Sequence, residues 1–260
     1  TGKGRFTWVS GNIYEGDFLN DKRTGKGKYT YASGEVYEGD YLDGQRSGKG
    51  RYINAKSIYE GDWLNDKRTG KGKYTLANGN VYEGDFLRNW QTGKGRYTFA
   101  DGSEFDGDVY EGDFLNGLRT GQGKYITAKG VIYEGDFLDG SSTGRGKIIY
   151  ANGNTYEGGF LKSEPHGTGR HTSADGTIYE GAFLDGLMHG KGTLVDAEGN
   201  IYEGTWLDGQ MNGKGTVIYA NGMIYEGTFL DMQLHGKGRI SSPDGISYEG
   251  GFRKSMRHGK

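Results

Sequence analysis

The run Arg23-Thr24-Gly25-Lys26-Gly27-Lys28 is the nearest this chain comes to a phosphate loop, and similar phrases recur along its length. A phosphate-binding loop needs G-x-x-x-x-G-K-[ST] between a strand and a helix, so that backbone N–H groups and the Lys ammonium converge on one phosphate. No Gly-Lys here is followed by Ser or Thr, and no helix is signalled, so the phrase reads as structural. The neighbouring Tyr-Glu-Gly-Asp places Glu15 and Asp17 side by side on one strand face, the residue types of acid–base catalysis. Catalysis needs one unique constellation in a dry pocket, whereas this pair recurs along the chain, so it reads as part of a salt-bridge ladder. His166, His189, His235 and His258 stand at one repeat position, with Asn212 interrupting them. Successive repeats advance by about 10 Å, while zinc ligands each lie about 2 Å from a shared ion. Turn residues are the better explanation, because earlier repeats use Thr or Ser there. The expectation is no catalytic residue, no metal and no cofactor.

These residues are carried by a repeat. Tyr-Glu-Gly begins at Tyr14, Tyr37, Tyr59, Tyr82, Tyr110, Tyr133, Tyr156, Tyr179, Tyr202, Tyr225 and Tyr248. The spacing is 23 residues except for 22 before Tyr59 and 28 before Tyr110, and a fixed period of this size means a repeat architecture. Four residues after each Tyr comes Phe18, Tyr41, Trp63, Phe86, Phe114, Phe137, Phe160, Phe183, Trp206, Phe229 or Phe252, followed by Leu in all but the last. Within a unit the period is two. Tyr14, Gly16 and Phe18 share one face, with Ile13, Glu15, Asp17 and Leu19 on the other. In the next segment Gly25, Gly27, Tyr29 and Tyr31 share a face, opposite Lys26, Lys28 and Thr30. Between units, dipeptides such as Asn78-Gly79 and Asp175-Gly176 suit tight two-residue hairpin turns.

The fold class expected is therefore all-β: an elongated single-layer antiparallel meander of about eleven 23-residue hairpins, with no conventional core. Rings can lie over bare glycine backbone on one face. On the other, Glu and Asp sit across from Lys, in pairs worth roughly 0.2–1 kcal/mol each. The composition agrees. Only 33% of residues are hydrophobic and mean hydropathy is −0.79, yet 52 Gly accompany 20 Tyr, 11 Phe and 4 Trp. A formal charge of −2 steers nothing toward nucleic acid. The absence of Cys fits a reducing, cytoplasmic compartment. The chain opens and stops mid-phrase, which reads as part of a longer protein.

YEGDFLNDKRTGKGKYTYASGEV resembles a MORN repeat (membrane occupation and recognition nexus), in the pattern Y-E-G-x-[FW]-x-x-G-x-x-x-G-x-G, and the resemblance covers essentially all of the chain. It implies the same hairpin ribbon. Similar repeats occur in junctophilins, plant phosphatidylinositol phosphate kinases, ciliary radial-spoke proteins and protist cytoskeletal scaffolds, so cytoskeletal or ciliary axoneme placement is an implication of the resemblance alone.

Two irregularities carry more information. In SEFDGDVYEGDF, Phe105 lies where the next Tyr is due, so residues 105–109 should loop out. This reads either as a bend between N-terminal repeats 1–104 and C-terminal repeats 110–260, or as a harmless duplication. Secondly, the hairpin tips change from Arg23, Arg46, Arg68 and Arg119 to Met188, Met211 and Leu234, with Leu187, Met232 and Met256 in the same loops. That makes an apolar edge suited to adaptable contacts, unless these side chains fold back over the sheet; Trp90 is a weaker candidate.

The function expected is a non-enzymatic scaffold. Its aromatic–glycine groove, lined by the Tyr and Phe, Tyr or Trp pairs named above, would accept an extended or helical segment of a partner protein. The C-terminal edge would bind a partner or pair with a second copy. Two alternatives are a phospholipid-binding module using Lys26, Lys28, Lys49, Lys71 and Lys73, and the targeting region of a larger enzyme such as a lipid kinase.

Overall fold

The computed structural model describes residues 2–103 and 105–258, and no helix occurs among them. The chain forms two compact units, Thr1–Gly130 with Phe137–Gly140, and Val131–Asp136 with Ser141–Lys260. Within each unit, strands pair antiparallel with their neighbours in the chain, as a meander of hairpins.

One hairpin explains the rest. Strand Ile13–Leu19 pairs with strand Lys22–Thr30, placing Tyr14 opposite Tyr29, Glu15 opposite Lys28 and Gly16 opposite Gly27. The register then shifts: Asp17 faces Thr24 and Phe18 faces Arg23, so Gly25 and Lys26 form a two-residue bulge. An even insertion preserves the side-chain alternation that an odd one would reverse. Gly25 takes φ +55° at the bulge, a left-handed conformation that costs glycine little. Asp17 Oδ2 accepts the Lys26 N–H at 3.2 Å, and Asp40 does the same for Lys49 at 2.9 Å. The first Gly of the recurring phrase is thus required by a bulge, and the Asp of Tyr-Glu-Gly-Asp by the amide that the bulge leaves out of the ladder.

The turns correct the sequence reading. The two-residue turns lie within each unit, at Asn20-Asp21 (φ 46° and 60°) and its equivalents, where both central residues are left-handed as a type I′ turn requires. The dipeptides between repeats, such as Asn78-Gly79 and Asp175-Gly176, occupy three-residue loops instead, while Asp43-Gly44 and Asp139-Gly140 are two-residue turns of the first kind. Leu76 N–H donates to Asn80 O at 2.8 Å and Gly79 N–H to Leu76 O at 3.0 Å, the type I turn closed by a left-handed glycine. A two-residue turn, Ala55-Lys56, replaces such a loop between Asn54 and Ser57, which accounts for the 22-residue spacing.

The insertion is absorbed in the loop between strands Trp90–Thr98 and Val109–Leu115. Thr98 still faces Val109 and Gly95 still faces Gly112, the register of Thr75 with Val81 and Gly72 with Gly84. Phe99 N–H donates to Asp108 O at 3.0 Å, and Gly107 N–H to Phe99 O at 2.8 Å. The two units divide at residues 131–141.

Candidate functional site

The two faces of each hairpin do different work. On the aromatic face, the ring of Tyr59 lies over the paired glycines Gly61 and Gly72; a Cβ on Gly72 would stand 2.5 Å from both Tyr59 Cε2 and its hydroxyl oxygen. The hydroxyl donates to Asp62 O at 2.9 Å, and the same bond joins Tyr14 to Asp17, Tyr156 to Gly159 and Tyr225 to Thr228. Each such Tyr meets the next aromatic edge-on. Tyr59 has Trp63 at 5.2 Å and Phe86 at 5.0 Å, at 87° and 82°; Tyr156 has Phe160 and Phe183 at 5.2 and 4.8 Å. Edge-to-face pairs of this kind add about 0.5–1.5 kcal/mol beyond burial.

This packing corrects the open aromatic–glycine groove. Of its expected lining residues, only Phe18, Tyr202 and Tyr248 are half-buried; the others, from Tyr14 and Tyr37 to Phe252, are buried. The groove over the glycines is filled by the chain's own tyrosines. Burial also raises the phenol pKa to about 12 for Tyr179, Tyr156 and Tyr133. Below the ordinary value of 10, folded and unfolded chains hold these protons alike. Between pH 10 and 12 the unfolded chain releases them first, so stability is expected to fall as pH rises through that window. Thermal melts at pH 8 and pH 11, with tyrosinate absorbance followed alongside, check this; equal melting temperatures would contradict it.

The arginines at the tips also belong to this face, which sequence alternation could have revealed: Tyr31, Tyr29, Gly27 and Gly25 lead by one more step of two to Arg23. Its guanidinium carbon lies 5.1 Å from the Tyr29 and Tyr41 ring centroids and 5.8 Å from Tyr14. Nη2 donates to Gly44 O at 2.5 Å, in the next tip turn. Arg46, Arg68 and Arg119 are each caged by three rings in the same way, Arg46 lying 4.3 Å from Trp63. Arg68 and Arg119 donate to Asn89 O and Gly140 O. A cation over ring faces is worth about 0.5–2 kcal/mol.

Unit two fills these positions without charge except at Arg257, whose guanidinium carbon lies 4.8 Å from the Tyr248 ring centroid, and that corrects the expected Met edge. Met211 is fully buried and Leu234 is 7% exposed, while Met188 is half-buried opposite Phe183. In the hairpin of Tyr202 the methionine replaces the tyrosine: a Cβ on Gly204 would meet Met211 Cε at 2.6 Å, and the Tyr202 hydroxyl bonds Asp196 Oδ2 at 3.1 Å instead. Met232, at φ +64° in the following turn, accepts the Met211 N–H on its sulfur at 3.0 Å. Leu187 and Met256 lie one residue earlier in their strands than the packed position, and are 50% and 69% exposed.

What remains exposed at the tips is a feature the sequence reading noted but did not use. The Leu after each Phe, Tyr or Trp points to the other face. In unit one Leu19, Leu42, Leu64, Leu87 and Leu115 are 44–60% exposed; in unit two Leu161, Leu184, Leu207 and Leu230 are 41–47% exposed. Trp90, 60% exposed, stands opposite Leu87, and Leu187 stands opposite Leu184. An apolar side chain is thus left exposed at one tip after another, until the last, where Arg253 takes its place.

Inward of the tips this second face is charged. Lys26, Lys49 and Lys71 reach Asp40, Asp62 and Asp85 on the next strand at 2.6–2.7 Å, and Lys73 reaches Glu83 at 2.6 Å. Lys28 stands between Glu15 and Glu38 in register. Lys26, Lys28 and Lys49 line a depression of about 800 Å³ with Glu15 and Glu38 interleaved, so the headgroup lysines proposed from sequence already face carboxylates. His166 and His189 lie in their tips, Nδ1 3.6 Å from Asp185 Oδ1 and 3.8 Å from Asp208 Oδ1 respectively.

A family model described as MORN repeat matches residues 1–13, 14–36, 37–56, 59–81, 82–104, 110–131, 133–155, 156–178, 179–201, 202–224, 225–247 and 248–260. No curated protein matches the sequence. Among solved structures, the wild-type TCP10 domain of Danio rerio CPAP is similar at 13% identity and TM-score 0.40, over 96% of this chain and 100% of that one. The SAS-4 (dCPAP) TCP domain of Drosophila melanogaster, in complex with a proline-rich motif of Ana2, is similar at 15% identity and TM-score 0.29, over 78% and 90%. A streptogramin B lyase is similar at 15% identity and TM-score 0.16, over 96% and 83%.

Proposed function

The chain belongs to the MORN-repeat family, and from that premise we propose that it is a non-enzymatic scaffold that holds protein partners along the tips of its hairpins. The observation that carries this reading is the exposed leucine at the tips of successive repeats from Leu19 to Leu230. Buried rings and ion-paired charges satisfy most other positions, whereas this leucine is left in water by each hairpin before the last, which carries Arg253. Equivalent contacts at fixed spacing suit an extended protein surface. In unit two the row is reinforced by Leu187, Met232 and Met256, and this edge is where a second copy would pair. The Tyr-Glu-Gly-Asp carboxylates support a non-catalytic role, since Asp40, Asp62 and Asp85 are each occupied by a bulge amide or its strand and by a lysine. The paired lysines favour protein over anionic lipid. Cytoplasmic placement at cytoskeletal or axonemal assemblies is the expectation that accompanies the family.

Replacing Leu184, Leu207 and Leu230 together by Ser is expected to leave the fold in place, as exposed substitutions shift stability by no more than about 0.5 kcal/mol each, and to reduce both self-association and recovery of specific partners at least about tenfold. Sedimentation and quantitative affinity capture with wild-type and triple variant check it. Equal oligomer populations together with equal partner recovery would remove the tip row from consideration.

A further inference from the structure

One repeat of unit one lacks the arginine of its neighbours. At the position of Arg23, Arg46, Arg68 and Arg119 the hairpin of Tyr82 carries Gln91, and a cavity of about 420 Å³ opens there, lined by Gln91, Tyr97, Phe114, Gly117 and Leu118 and bounded by Arg119. The correspondence is residue by residue. Tyr97 faces Tyr82 as Tyr29 faces Tyr14, Phe114 stands where Tyr41 does, and Gly117 occupies the place of Gly44. Gly117 N–H donates to Gln91 O at 3.0 Å, as Gly44 N–H donates to Arg23 O at 2.9 Å. The Gly44 carbonyl receives the Arg23 guanidinium; among the described residues no side chain donates to the carbonyl of Gly117.

We propose that this cavity is a binding site for a guanidinium, the arginine side chain of a partner protein, inserted where the other repeats of unit one insert their own. The inference rests on the scaffold reading and names one contact within it. The charge complementarity is built in: ring faces present negative potential to a cation, and a carbonyl at the end of the cage accepts an N–H of the planar fork. The neighbouring Arg119 is no obstacle of principle, because Arg46 and Arg68 occupy adjacent cages in the same unit. Gln91 is shorter than arginine, and its Oε1 comes to 3.4 Å from where a Cβ on Gly117 would stand, so an incoming guanidinium displaces the end of a neutral, flexible side chain.

The test is an NMR titration of the whole chain with arginine blocked as acetyl and methylamide, which presents the side chain as a polypeptide does. Shifts are expected to concentrate on the Tyr97 and Phe114 rings and the Gly117 amide, with roughly millimolar affinity for an isolated side chain. The uncharged citrulline analogue is expected to shift them at least about fivefold less. Gln91→Arg should occupy the cage, abolish the titration and raise the melting temperature; Gln91→Ala should retain binding and shows that loss in the first variant is occupancy rather than misfolding. No shifts with the blocked arginine, equal shifts with citrulline, or an undiminished titration in a folded Gln91→Arg would each overturn the proposal, as would clearly tighter binding of free arginine, which would assign the cavity to the amino acid itself. The outcome is independent of the leucine row, so either reading can fail without the other.

Discussion

Gly72→Ala is expected to destabilise its unit by about 3 kcal/mol, in the upper range for inserting a methyl group into a packed site. Gly72 has extended backbone rather than a left-handed conformation, so alanine meets no dihedral penalty there and the effect isolates the contact. Its Cβ would stand 2.5 Å from Tyr59 Cε2 and the hydroxyl oxygen. The ring cannot retreat, because Trp63 and Phe86 hold its edges at 5.2 and 5.0 Å and the hydroxyl is tied to Asp62 O. Tyr59→Phe keeps the ring and loses only that hydrogen bond, so about 1 kcal/mol is expected. Urea unfolding followed by circular dichroism gives both values. A loss below about 0.5 kcal/mol for Gly72→Ala would mean that the ring does not rest on the glycines.

The second large effect separates residues that share a type and a neighbourhood in sequence. Met211→Ser is expected to cost about 4 kcal/mol, because it empties a fully buried site and leaves a hydroxyl facing Gly204 and Gly215. Met256→Ser should change stability by less than about 0.5 kcal/mol, since that side chain is 69% exposed. Thermal denaturation of the two single variants decides the matter. Similar melting temperatures would restore the picture of one uniform methionine edge and undo the assignment of Met211 as the substitute for a tyrosine ring.

The elements themselves were legible because the physics that makes them is local. Alternation of Tyr, Gly and Phe over seven residues can only be a two-faced strand, and a 23-residue recurrence can only be a chain of equivalent units. The ion pairs were legible for the same reason: Lys49 and Asp62 sit directly opposite in the register that alternation predicts. The turns were misassigned because both kinds accept left-handed residues. Asn20-Asp21 and Asn78-Gly79 are equally good candidates by composition, and the strand register shows that the first closes with two residues and the second with three.

The candidate site was far less legible. Arginine, methionine and leucine at a hairpin tip look like solvent-facing residues, yet Arg23 and Met211 face the rings while Leu19 and Leu187 face water. Sequence by itself determined that this chain is a repeating β-hairpin protein with one aromatic and one charged face, since those properties follow from the period of a strand and the spacing of its residues. Only the tertiary structure decided that the glycine groove is already filled, that four arginines are caged, and that a cavity adjoins Gln91 where a fifth would stand. Those outcomes depend on which side chain of one repeat reaches the space left by the next, and the distance of that reach is not written in any single repeat.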